Sequence, residues 1–474
     1  MFKPLKYNKY IFNLMNESYI HYYKWNSNKF LKSCKTYLDI LTPNFYNPIY
    51  SLYFYIHNTK NARKTIDIKR RYYLVDILKS IKYNYYTSNC FVEGTIYDSA
   101  NNKQEYKECF AKCIPILDPI HMMMNNYCLS TTNILQPSNY INNTIHKVNN
   151  LNNSCYIDVF FSFIVGELVE KDILPSFPLF YGSINGISTD FKYDISEEYS
   201  DFMDETWFHK NIGKLFKIDM YISDSESDKE SVSSYHDEVV CDFEKMPVQY
   251  LFIEKLEGTL EDLLQEDINI LKSCLFQIIY TLCYLQKHYE FTHNDLHINN
   301  IMYSKTERLY LYYKYNNIYF KVPTYGYIFK LIDFGRSIFT FKKRVFNNDS
   351  FSKYGEAEGQ YHYPIPPVNS YKKNKYTLDR QPNYSFDMCR LSTTIMDELE
   401  DSETDVYKFL MDIVVDKDGN NIYETMSDDF DLYIEIAQKS CNGLPHELIQ
   451  KDIFKEYRIK KKYYPKIGGY RVGN

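Results

Sequence analysis

At 474 residues the chain is long enough for two or three domains, or for one large domain with insertions. A formal net charge of −6 speaks against a general nucleic-acid binder and leaves room only for a local basic patch. The 11 cysteines are scattered and odd in number, with no C-x-x-C pair, which favours reduced, buried thiols over disulfides or a cysteine-held metal.

The N-terminus, "MFKPLKYNKYIFNL", lacks the long apolar core of a secretory signal. The most apolar run, "CLFQIIYTLCYL", is too short to cross a bilayer. Together they predict a soluble, cytoplasmic protein with no membrane and no nucleic-acid partner; its oligomeric state is not legible.

Residues 1–80 are rich in Tyr, Asn and Lys and carry no recognisable chemistry; "YYLVDILKSI" there has the spacing of an amphipathic helix. From about residue 88 short strands are expected, "CFVEGTIY" and "ECFAKCIPIL". The Asn-rich "NILQPSNYINNTIHKVNN" reads as a loop, "YIDVFFSFIVGELVEKDI" as a helix and "PSFPLFYG" as a strand. Residues 183–246 have the character of an insertion, and their part "SDSESDKESVSSYHDE" has almost nothing to bury, which predicts disorder. "VQYLFIEKLEG" is an apolar strand ending in a charged turn. "LEDLLQEDINILKSCLFQIIYTLCYLQKHY" reads as two helices, and "RLYLYYKY", "IYFKVP" and "YIFKLIDFG" read as strands. Beyond about residue 380 the pattern is helical. Strands with one helix, followed mostly by helices, predict an α+β chain of two lobes with a cleft between them. The expected division is an N-terminal extension over 1–80, a first lobe over 81–256 carrying the insertion, and a second lobe over 257–474.

Two motifs carry chemistry. In "FTHNDLHINNIMY", Asp295 and Asn300 stand five residues apart on one tight loop, able to face one cleft. Phosphoryl transfer needs such a pair: a carboxylate near the incoming hydroxyl and an oxygen ligand for magnesium. In "KLIDFGRS", an apolar strand delivers Asp333, and Gly335 lets the backbone turn away. Each motif alone is an ordinary polar turn. Their order and separation are what make them informative.

On these residues the chain resembles the eukaryotic-type protein kinase superfamily, whose catalytic loop and metal-binding D-F-G occur in this order. The resemblance implies a bilobal protein-kinase-like fold, with a small β-rich N-lobe and a mostly helical C-lobe. It implies Asp295 as catalytic base, Asn300 and Asp333 as Mg2+ ligands, and a packing role for His293. It matches "FVEGTIY" to the end of a glycine-rich loop, with Gly94 retained and Ile96 against adenine. Lys112 of "CFAKC" then neutralises the ATP phosphates. Its partner acid on the next helix is Glu167, or Asp158 if the following connection is longer. "YLFIEKLEG" resembles the hinge, with Ile253 as gatekeeper and the backbones of Glu254 and Leu256 on the adenine edge. Asp387 of "PNYSFDMCRL" corresponds to an aspartate that anchors the catalytic loop.

The sequence also departs from the family pattern. Asn294 replaces the arginine that usually grips an activation-loop phosphate. His297 replaces a lysine, a feature of haspin-like chains and of small-molecule phosphotransferases. No A-P-E element follows D-F-G. The long insert between Asn300 and Asp333, with the Asn/Tyr-rich composition, resembles divergent haspin-like and giant-virus kinases; for a viral chain the expected location is host cytoplasm or virion. The resemblance covers roughly residues 88–460. It implies an ATP- and Mg2+-dependent kinase acting on protein Ser/Thr hydroxyls. The alternatives are a choline- or aminoglycoside-type kinase and a pseudokinase scaffold.

Overall fold

The computed structural model describes residues 27–49, 70–129, 143–221, 238–363, 382–399, 403–425, 429–465 and 469–472. The acidic serine-rich stretch expected to be disordered lies almost wholly outside them. The chain divides into two compact units, as the α+β bilobal reading requires: Met1–Tyr156 with Phe180–Lys255, and Ile157–Leu179 with Leu256–Asn474.

The first unit is built on a six-stranded antiparallel sheet. Helix α1 (Ser27–Tyr37) precedes β1 (Ile40–Asn44), β2 (Tyr72–Lys82), β3 (Cys90–Asp98), β4 (Lys103–Pro115), β5 (Phe180–Ser188) and β9 (Met246–Glu254), in the order β1-β5-β9-β4-β3-β2. A smaller sheet, β6 (Phe191–Asp194), β8 (Glu238–Phe243) and β7 (Lys217–Tyr221), joins β5 to β9 in sequence. Residues 183–188, expected to begin an insertion, are a strand of the main sheet paired with β9.

The helix expected at "YYLVDILKSI" is strand β2. It pairs with β3 through two irregularities, between Leu74 and Asp76 and between Ile77 and Lys79. Each bulge shifts the two-residue alternation, so the apolar residues fall at spacings that imitate a helix. Phe30 and Cys34 of α1 are fully buried, Phe30 lies 6.0 Å from Phe252, and Ile77 N–H donates to Ser33 Oγ at 3.1 Å. Parts of the first 80 residues therefore build this sheet rather than extend from it. No disulfide joins the eleven cysteines, most of which are buried.

The second unit centres on two apolar helices. Helix α2 (Ser154–Glu170), most of which belongs here, presents Phe160 and Phe161 to a cluster of rings. Phe161 lies 4.6 Å from Phe291, 5.0 Å from Phe334 and 4.5 Å from Phe339. Helix α3 (Ile268–Tyr289) is capped by Asp267, whose side chain accepts from Asn269 N–H, and stops at Glu290 in the left-handed conformation. By length and hydropathy α3 would cross a membrane, but 83% of its apolar window is buried inside the protein.

The strands expected after "FTHNDLHINNIMY" are present. β10 (Gly258–Thr259), β11 (Ile301–Lys305) and β14 (Tyr327–Leu331) form one sheet. β12 (Tyr310–Tyr315) and β13 (Ile318–Pro323) form a hairpin extended by β17 (Arg458–Ile459) and β18 (Tyr470–Val472). This hairpin packs on α3: Phe276 meets Phe320 at 4.9 Å, and Tyr280 meets Tyr313 at 4.5 Å. The hairpin of β15 (Ile338–Phe341) and β16 (Arg344–Asn347) follows D-F-G, and then come α4 (Phe386–Glu398), α5 (Asp405–Ile413) and α6 (Asp429–Lys439).

Candidate active site

The loop after α3 is held from below before any of its functional groups is placed. Thr292 and Ile338 exchange backbone hydrogen bonds at 2.9 and 3.0 Å. The buried Asp387 carboxylate then accepts His293 N–H at 3.0 and 2.9 Å and Asn294 N–H at 2.9 Å. Burial pushes the Asp387 carboxyl above the usual range, and those amides and His293 pull it back. Without that acceptor two buried amides would be unpaired, at a cost of about 1–3 kcal/mol each.

Asn294 takes a φ of 63°, tolerable for asparagine, and its amide donates to the Arg336 carbonyl at 3.0 Å. His293 Nε2 donates to the Ile332 carbonyl at 2.9 Å, which makes this histidine a tie between the loop and β14 rather than an acid or base.

The loop next presents its chemistry. Asn300 Nδ2 donates to the Asp295 carbonyl at 2.8 Å and meets His297 Nε2 at 2.8 Å. The Asn300 amide therefore turns its NH2 into the loop, leaving Oδ1 as a ligand atom. Asp295 Oδ1 accepts the Tyr433 hydroxyl at 2.7 Å and Arg336 Nη1 at 3.4 Å. Burial holds His297 below the ordinary histidine range, against the pull of Asp295, so the imidazole is neutral at pH 7 and supplies no cation.

Asp333 is brought alongside by the neighbouring strand: Ile332 N–H donates to the Asn300 carbonyl at 3.1 Å. Its φ is 60°, and Gly335 N–H donates to its Oδ1 at 3.3 Å. Phe334 N–H donates to Asp158 Oδ1 at 3.0 Å, and the Phe334 ring is buried 5.6 Å from His293. Asp158 is 1% exposed. Glu167, the other acid of α2 considered above, pairs with Lys171 one turn on at the solvent face. Of the two, Asp158 is the acid that lies against D-F-G.

Asn300 Oδ1 and the Asp333 carboxylate are hard oxygen donors on adjoining backbone. They suit magnesium, which keeps several waters and takes one or two protein ligands beside phosphate oxygens. Among the described residues no cluster of three or more His, Cys, Asp or Glu is placed to hold a metal by itself.

In the first unit, Lys112 of β4 pairs with Leu251, and Phe110 pairs with both Ile253 and Phe91. Paired residues share a face of an antiparallel sheet, so Lys112, Phe110, Phe91, Leu251 and Ile253 lie on one side. Gly94 pairs with Lys107 and Ile96 with Glu105, which places both on the opposite side from Lys112. This corrects the expectation for Gly94 and Ile96. Gly94 is mid-strand, not in a phosphate-covering turn. A Cβ there would stand 2.5 Å from the Asp76 carbonyl and 2.6 Å from Leu74 Cδ1, so the glycine answers the bulge in β2. The β2–β3 connection is 83–89, "YNYYTSN", without glycine and folded around Asn84 Oδ1, which accepts Tyr86 and Thr87 N–H.

Phe91 and Phe110, 5.6 Å apart, and Leu251 are residues of Lys112's face that the sequence reading missed; Phe110, two before the lysine, was the available signal. Glu254 ends β9 and the buried Leu256 opens the second unit. A cavity of about 930 Å³ in the first unit, lined in part by Met122, Tyr127, Phe216 and Lys217, touches none of the candidate residues.

No protein-family model matches the chain. The chain is 29% identical over 196 residues to a provisionally named serine/threonine-protein kinase of Acanthamoeba polyphaga mimivirus, covering 39% of this chain and 46% of that one. It is 41% identical over 76 residues to a chain of Dictyostelium discoideum, also provisionally named a serine/threonine-protein kinase, covering 15% and 6%. It is 36% identical over 86 residues to an uncharacterized protein of Invertebrate iridescent virus 6, covering 17% and 14%.

The similarity is to protein-kinase-like chains. The matches span less than half the length of each relative. Among solved structures, the ROP18 kinase domain in complex with AMP-PNP and sucrose aligns over 84% of this chain and 85% of that one, at 10% identity and a TM-score of 0.28. At that score the likeness decides nothing about function.

Proposed function

We propose that the chain is an ATP- and Mg2+-dependent protein kinase that phosphorylates Ser/Thr hydroxyls. The observation that carries this is the loop itself: Asp295 and Asn300 locked together by the 2.8 Å bond, anchored on Asp387 and adjoining Asp333. Asp295 orients the acceptor hydroxyl and takes its proton. Asn300 and Asp333 hold magnesium, which when bound neutralises charge on the phosphates. Lys112 serves the α- and β-phosphates; of the two candidate acids of α2, Asp158 rather than Glu167 is the buried carboxylate tied to D-F-G. Ile253, Glu254 and Leu256 serve the adenine.

The kinase names of two relatives support the protein acceptor, and Gly335 after Asp333-Phe334 favours it over a choline-type kinase. The test is transfer from γ-labelled ATP to mixed proteins and, in parallel, to choline, ethanolamine and aminoglycosides. Label on phosphoserine and phosphothreonine is expected. Label on small molecules alone would replace this reading with the small-molecule kinase.

A further inference from the structure

Asp295 is gripped by a residue 138 positions away. Tyr433 of α6 donates its hydroxyl to Oδ1 at 2.7 Å, and Arg336 Nη1 donates to the same oxygen at 3.4 Å. No hydrogen bond reaches Oδ2 among the described residues. Tyr433 is itself fixed. Its ring lies 5.9 Å from Phe386, and the guanidinium carbons of Arg390 and Arg336 stand 4.7 and 5.5 Å from the ring centre. Arg336 Nε reaches Glu356 at 3.4 Å. Burial, and then the Asp295 carboxylate, raise the phenol's proton affinity above the usual tyrosine range, so it acts as a donor.

Building on the phosphotransfer reading of Asp295, we propose that Tyr433 is a positioning residue that pins Oδ1 so that Oδ2 faces the acceptor hydroxyl. In the step it serves, the acceptor O–H bond breaks and its proton goes to Oδ2. The acceptor oxygen bonds to the γ-phosphorus as the bond to the β,γ-bridging oxygen breaks, and ADP leaves with that electron pair. A carboxylate free to rotate would present Oδ2 only part of the time. Misplacement of that kind costs rate rather than nucleotide affinity.

Tyr433→Phe keeps the ring against Arg390 and Phe386 and removes only the donor. The expected result is a fall in kcat of about ten- to a hundredfold, with KM for ATP unchanged. An unaltered kcat, or a fall in kcat matched by a raised KM for ATP, would overturn the proposal. So would a faster variant, which would mean that the phenol blocks the base.

A second measurement does not need turnover. In protein with 13C-labelled tyrosine, the resonance missing from Tyr433→Phe is followed through alkaline titration in wild type and Asp295→Asn. Ionisation at lower pH in Asp295→Asn is expected, and identical titrations would overturn the proposal. If wild type transfers phosphate to nothing, the function reading fails and this titration still decides the contact.

Discussion

His297 shows how one side chain can depart from a familiar pattern and keep the loop intact. A lysine at this position would bring a cation to the loop, whereas His297 is neutral and spends its ring nitrogen on Asn300. Its depressed proton affinity has a consequence for stability. The unfolded chain takes up this proton near about pH 6.5, and the folded chain only at lower pH. Between those two values the unfolded state binds more protons, so stability falls as pH drops through the window and is fully present above it. His297→Gln keeps an acceptor for Asn300 and removes the titration. Urea midpoints at about pH 8 and about pH 5 should differ more in wild type than in the variant. Equal differences would show that His297 does not titrate across folding.

Asp295, Asn300 and Asp333 were legible in the sequence from short-range spacing and a flanking apolar strand, and Asp387 only through the family resemblance. Tyr433 and Arg336 were not. Nothing local marks a tyrosine on a distant helix as the partner of the Asp295 carboxylate.

Among the elements, β2 and β3 show where sequence periodicity misleads. Two bulges in β2 broke the alternation that would have identified a strand, and one of them created the need for Gly94. The glycine of "FVEGTIY" therefore answers the neighbouring strand. Gly94→Ala should destabilise the protein by about 1–3 kcal/mol in urea unfolding, because the Asp76 carbonyl is backbone and cannot step aside cheaply. KM for ATP should stay unchanged, since the side chain would point away from Lys112's face. A raised KM with unchanged stability would restore the phosphate-loop role. The choice between Glu167 and Asp158 was an element-scale ambiguity of the same kind. Both lie on α2, and they are separated by burial and by the hydrogen bond from Phe334 N–H to Asp158, whereas Glu167 pairs with Lys171 at the solvent face.

For the whole molecule, the sequence order of strands and then helices correctly foretold an α+β chain of two units. The boundaries were harder to see. Residues 157–179 cluster with the second unit, because Phe160 and Phe161 belong to the ring cluster around Phe291, Phe334 and Phe339. Residues 72–80 belong to the first unit because β2 closes its sheet. Both are consequences of packing between segments far apart in sequence, which composition and periodicity do not record.

Within the second unit alone, the loop anchor, the Asp295–Asn300 pair and D-F-G are all in place. The central claim is that this assembly transfers the γ-phosphate of ATP. The most direct test is magnesium-dependent labelling of protein from γ-labelled ATP by wild type, Asp295→Asn and Asp333→Asn in parallel. Wild type should label Ser/Thr, and each variant should lose about a hundredfold or more in rate while remaining folded. Equal labelling by Asp295→Asn, or ATP bound by wild type with no transfer to any acceptor, would contradict the account.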